Sequence, residues 1–114
     1  NIELTATCVS FAVLVSHSDS VYIVFENPYS LEQIREALNN ADGCRVIDKR
    51  ENGGYSTPIE ATGSDETFIS RIRDDKTKEN SINLWIVSDN LLRGAALNSV
   101  EIAETIMKAN QNGK

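Results

Sequence analysis

Residues 5–25 are mostly β-branched, aromatic or other apolar residues, the composition of strands, interrupted by Ser16-His17-Ser18-Asp19-Ser20. Small polar side chains in such a cluster favour a turn, so two strands are predicted around a break at 16–20. In the second, Val21, Ile23 and Phe25 alternate with Tyr22, Val24 and Glu26, which leaves one face wholly apolar. Pro28 stops that strand. Ser30-Leu31-Glu32-Gln33 then has the form of a capping box, in which the serine hydroxyl and the glutamine side chain satisfy free amide donors of a first helical turn. The spacing predicts a helix over 31–38, with Leu31, Ile34, Ala37 and Leu38 on its apolar stripe and Glu32, Arg35 and Glu36 facing water. Asp42-Gly43 ends it, and 44–47 is a short strand.

Residues 48–66 are rich in Gly, Asn, Ser and Thr and include Gly53-Gly54-Tyr55-Ser56-Thr57-Pro58. A connection of this length is either a solvated loop or one ordered by function or a partner, and the pattern leaves both open. A strand over 67–73 carries Arg71 and Arg73 on one face; a charged turn at 74–80 leads to the most apolar strand, 82–87, centred on Trp85. Ser88-Asp89-Asn90 supplies capping side chains for a helix over 91–108, with Leu92, Ala95, Ala96, Val100, Ala103, Ile106 and Met107 at three- and four-residue spacing. Gly94-Ala95-Ala96 makes a nearly bare surface, suited to close packing on a strand or to a flat ligand. Residues 110–114 are expected to fray. The element order implies an α+β fold, a mixed β-sheet covered by helices, without repeats or a linker long enough to divide it.

Length narrows the function: 114 residues make one ordinary domain, too few for the cofactor and substrate domains of most two-substrate enzymes. Eleven Lys plus Arg against seventeen Asp plus Glu give a net charge of −6, which argues against a nucleic-acid or an anionic-membrane partner. Cys8 and Cys44 form no C-x-x-C pair and no Cys/His cluster, so no metal site and no disulfide are expected, and a reducing cytoplasm is the expected location. The opening residues lack the layout of a signal peptide, and a start in mid-strand suggests a piece of something larger.

His17 is the single histidine, set among Ser16, Ser18, Asp19 and Ser20 at the exit of the first predicted strand. An imidazole there can move a proton in either direction, with Asp19 or a hydroxyl fixing its tautomer; it can equally be a plain surface histidine. Cys8, placed within an apolar strand without a cation, is an inert thiol on this pattern, and Cys44 fares little better. No G-x-G-x-x-G, G-x-x-x-x-G-K or G-x-S-x-G occurs, so neither a dinucleotide fold nor a hydrolase elbow is encoded. The chemistry legible here is half an active site.

Thr5-Ala6-Thr7-Cys8-Val9-Ser10-Phe11-Ala12-Val13 followed by Ser16-His17-Ser18-Asp19-Ser20-Val21 resembles the histidine-bearing segment of aspartate-semialdehyde dehydrogenases. Gly54-Tyr55-Ser56-Thr57-Pro58-Ile59-Glu60, Ser70-Arg71-Ile72-Arg73-Asp74-Asp75, Asn83-Leu84-Trp85-Ile86-Val87-Ser88-Asp89-Asn90-Leu91 and Gly94-Ala95-Ala96-Leu97-Asn98 resemble later blocks of the same family, in the same order. The resemblance implies a partial catalytic and dimerisation domain over 1–90 and, over 91–114, a helix that packs on a dinucleotide-binding domain outside these residues. It also implies reduction of β-aspartyl phosphate to aspartate semialdehyde with NADP(H), in the route to lysine, threonine, methionine and isoleucine. A cysteine attacks the acyl phosphate, a thioester forms, phosphate leaves and hydride is delivered, while a histidine handles the protons.

By resemblance His17 is that acid/base, Asn90 contacts the nicotinamide end of NADP, and Gly94 lies beside it. Ser10 stands where the family has the arginine that clamps the substrate carboxylate, Ala12 where it has a proline and Ser16 where it has a glycine. The cofactor fold and nucleophilic cysteine belong to the family's amino-terminal part, and Cys8 does not match that cysteine. The expected partners are therefore that amino-terminal half, in cis or in trans, and a second copy in a homodimer. The isolated chain is expected to be inactive, and a non-catalytic dimerisation or partner-binding module is the alternative.

Overall fold

The computed structural model describes residues 2–112. Its elements are β1 (His17–Val24), α1 (Leu31–Asn39), β2 (Cys44–Val46), α2 (Pro58–Ala61), β3 (Thr67–Asp74), β4 (Ser81–Ser88) and, after a distorted turn at Leu92–Ala96, α3 (Leu97–Asn112). The four strands form one sheet in the order β1-β4-β3-β2. β4 lies antiparallel to β1 and β3, and β2 is parallel to β3, so the sheet is mixed and the fold α+β as expected.

Strand alternation divides the core between the two faces. On one face Ile69, Ile72, Ile82 and Leu84 are buried against Val21, Ile23 and Phe25 of the first strand and its exit, and Leu31, Ile34 and Leu38 of α1 close over them. The capping box is formed: Gln33 N–H donates to Ser30 Oγ at 3.2 Å and Ser30 N–H to Gln33 Oε1 at 2.9 Å. On the other face Ala61 of α2 is buried with Phe68 and Val87, and Ile47 and Trp85 pack beside them. The long connection is thus half of the second layer: Trp85 Nε1 donates to Ser56 O at 3.0 Å and Ser56 N–H to Ser70 Oγ at 3.0 Å.

Four expectations need correction. Residues 2–15 form no strand, because strand-forming side chains do not make a strand without a ladder partner; Ile2, Leu4, Val9, Phe11 and Leu14 are exposed and so is Cys8. The polar cluster at 16–20 is no break: His17–Ser20 pairs with Ser88–Trp85 at an edge where polar side chains reach water. Arg35 does not simply face solvent; it is ion-paired with Asp48 and donates to Ile72 O at 3.1 Å. The last helix is two pieces, broken where Arg93, Gly94 and Ala95 leave helical angles, and α3 continues through Asn112; of the residues expected to fray, 113 and 114 lie outside those described.

Candidate active site

The end of β4, the start of β1 and the end of α2 meet at one buried serine. Ser16 has φ +85°, the left-handed region that favours glycine, and this accounts physically for the glycine that the resemblance places there. Its N–H donates to Asn90 Oδ1 at 2.8 Å, its Oγ to Pro58 O at 3.0 Å, and Thr62 Oγ1 lies 3.2 Å away. The hydroxyl makes the contacts to Pro58 and Thr62 that glycine cannot, which offsets part of the backbone cost.

From this anchor His17 starts β1 opposite Ser88. Its side chain is 60% exposed, and Nε2 lies 3.0 Å from Asp19 Oδ1 on the same strand face. That contact engages one ring nitrogen, and Nδ1 has no partner among the described residues. Asn90 is itself exposed; its Oδ1 is held by Ser16, and its Nδ2 donors have no partner among the described residues.

Asp89 fastens the same corner. Buried, it accepts from Gly63 N–H at 2.7 Å and Leu91 N–H at 2.8 Å, and those bonds hold its carboxyl below the ordinary carboxylate range despite desolvation. It is an anchor and not a proton donor. Gly94 has φ +90°, and its N–H donates to Asn98 Oδ1 at 2.8 Å; a Cβ there would meet nothing within 4 Å. Its need for glycine is therefore conformational, and the surface from Gly94 to Ala96 lies open instead of packing on a strand.

Of the residues expected at the site, His17 and Asn90 are thus brought to one corner through Ser16, and Gly94 follows in the turn after Asn90. Ser10 is not: it is exposed and makes no hydrogen bond among the described residues. The anchors Asp89, Thr62 and Pro58 escape sequence reading as site residues because their partners lie far along the chain; the serine in a glycine position was the one available signal. The described residues contain no group of three or more His, Cys, Asp or Glu placed to hold a metal. Among them no helix is long and apolar enough to cross a membrane.

The sheet, the edge histidine and the exposed amide beside it are the frame in which comparison with known proteins is informative. The chain belongs to the semialdehyde dehydrogenase family: residues 1–93 match that family's dimerisation domain. It is 45% identical over 108 residues to the aspartate-semialdehyde dehydrogenase of Aquifex aeolicus and 40% identical over 111 residues to that of Bacillus subtilis. These matches take in 95% and 96% of this chain and 32% of each relative, at the carboxy-terminal part, so the chain spans about a third of the length of the curated relatives it matches. The fold is similar to that of aspartate semialdehyde dehydrogenase II from Vibrio cholerae in complex with ASA, with a TM-score of 0.77 and 32% identity over 84% of this chain and 28% of that one. A probable aspartate-semialdehyde dehydrogenase from Pseudomonas aeruginosa gives 0.75 and 34%, with the same coverage.

Proposed function

We propose that this chain supplies the acid/base and dimerisation part of an NADP-dependent aspartate-semialdehyde dehydrogenase, with His17 as the proton-handling group. The observation that carries this is the single corner at which Ser16 ties His17 to Asn90 while Asp19 orients the imidazole. In the reductive direction the attacking thiol loses a proton and the leaving phosphate gains one, which His17 can relay between them; when the aldehyde departs, His17 can pass a second proton, drawn from water, to the released thiolate. Asn90, through its free amide donors, and the bare surface at Gly94 fit the flat end of a nicotinamide cofactor, which would supply hydride.

The nucleophilic cysteine and the cofactor fold come from the amino-terminal part of the enzyme, joined in cis or in trans, and the 114 residues alone do not turn over. Exposed Val100, Ile102, Ile106 and Met107 give α3 an apolar surface suited to pack on that part, and residues 1–90 form the partial catalytic and dimerisation domain through which a homodimer assembles. The products belong to the biosynthesis of lysine, threonine, methionine and isoleucine, in the cytoplasm.

The test is catalysis by the assembled enzyme. Phosphate-dependent reduction of NADP with aspartate semialdehyde should fall by about 10²–10⁴ in kcat on His17→Ala. Unchanged kcat would refute the assignment.

A second reading rests on Ser10. A hydroxyl offers no fork to a substrate carboxylate, and a chain so altered can persist as a non-catalytic dimerisation or partner-binding module. Ser10→Arg in the assembled enzyme should lower KM for aspartate semialdehyde by about 10-fold or more, since a charged hydrogen-bonded pair contributes about 1.5–3 kcal/mol. No gain would favour the module.

A further inference from the structure

The register of β3 against β4 slips between Ser70 and Arg73, and Arg71 within the slip has φ +56°. A bulge of this kind re-aims side chains: Ile72 is buried in the core while Arg71 and Arg73 on either side are exposed. A non-glycine residue held in that region persists only where its surroundings impose it, and Arg71 N–H donates to Asp48 Oδ1 at 2.8 Å, on a carboxylate already ion-paired with Arg35. At the bulge opens a groove of about 700 Å³ whose lining includes Lys49, Arg50, Glu51, Tyr55, Arg71 and Arg73.

The charges of this groove do not cancel. Lys49 and Glu51 lie 3.7 Å apart and offset each other, and Asp48 is taken by Arg35. Arg50, Arg71 and Arg73 have no carboxylate at ion-pair distance among the described residues. Neutral groups orient them instead: Arg71 lies over the Tyr55 ring, 5.6 Å from its centroid, Arg73 Nη1 donates to Arg71 O at 2.8 Å, and Arg50 Nη2 to Ile72 O at 3.4 Å. Asp75, which feels the charge of Arg73, is occupied by Thr77 N–H and Oγ at 2.8 and 2.7 Å. Three guanidinium groups without an ion-pair partner among the described residues, at one groove in a chain of net charge −6, are not explained by composition.

We propose that this groove binds a small multivalent oxyanion of the phosphate class, with Arg50, Arg71 and Arg73 as its donors. A single carboxylate is matched by one guanidinium fork, whereas a phosphate or diphosphate presents enough oxygens and charge for three. An adjoining hollow of about 300 Å³, lined by Ser20, Leu84 and Trp85 and sharing Tyr55, Arg71 and Arg73, gives room for an organic body on the same anion. Neither hollow is lined by His17 or Asn90, and the proposal does not depend on the role of His17.

The experiment is titration of the protein with inorganic pyrophosphate at low salt, followed by backbone-amide NMR shifts and calorimetry. Saturable shifts confined to residues 49–55 and 71–73 are expected, with affinity at least about 10-fold weaker in the double variant Arg71→Gln/Arg73→Gln and unchanged in Arg45→Gln, whose side chain is paired with Glu66 at 3.1 Å. If the double variant loses its dispersed spectrum, Arg50→Gln, which keeps the Arg71–Asp48 bond at the bulge and gives up only the long 3.4 Å bond to Ile72 O, carries the same expectation. Absence of saturation, shifts scattered over the surface, or unchanged affinity in the folded variants would overturn the proposal. So would a double variant that alters only the monomer–dimer equilibrium in ultracentrifugation, since the arginines would then serve a carboxylate of a second copy.

Discussion

Ser16 shows how one residue can hold two opposing terms. Its left-handed backbone costs about 1–2 kcal/mol, while its hydroxyl returns about 1 kcal/mol through Pro58 and Thr62. Ser16→Gly relieves the first and loses the second, so denaturant melts should place it within about 1 kcal/mol of the wild type; Ser16→Ala keeps the strain, loses the bonds and should be about 1–2 kcal/mol less stable. Equal stabilities of the two variants would mean that the angle carries no cost.

Titration acts at the same scale. Asp89 is depressed in the folded state by Gly63 and Leu91, so its contribution is present above the unfolded value of about 3.9 and lost as pH falls through the lower folded value. Melts from pH 7 to 3 should therefore steepen less with acid in Asp89→Asn than in the wild type. Tyr29 has the opposite sign: desolvation, then its bond to Asp74, pushes it up to about 12, so its contribution holds below pH 10 and fades as pH rises towards 12.

At the scale of elements, the strands and α1 were legible because their signals are local. Alternation at Val21, Ile23 and Phe25 and the Ser30–Gln33 box need only neighbours in sequence, and both are realised. What escaped was set by distant partners: β2–β4 gain their ladders as expected, but residues 5–15 find none, and the Arg71 bulge follows from Asp48, 23 residues earlier. The candidate site divides the same way. His17 and Asp19 could be read from adjacency, whereas Asn90 joins them only through Ser16, 74 residues away. Ile72 tests the core these elements share: fully buried beside the bulge, its replacement by Ala should cost about 2–5 kcal/mol in a denaturant melt, and a cost below 1 kcal/mol would deny the packing described.

As a whole molecule the chain has a radius of gyration of 16.1 Å, against about 13 Å for a compact domain near this size. The excess matches the exposed apolar side chains of residues 2–14 and of α3, which lie outside both cores. Exposed apolar surfaces of this extent mark interaction sites, which is what the proposed assembly requires. The most direct measurement is reduction of NADP by aspartate semialdehyde and phosphate, followed for this chain alone and after joining it to the family's amino-terminal part. Turnover only in the joined form, abolished or cut at least about 100-fold by His17→Ala, is the predicted result; turnover by the 114 residues alone, or a joined enzyme indifferent to His17, would contradict it.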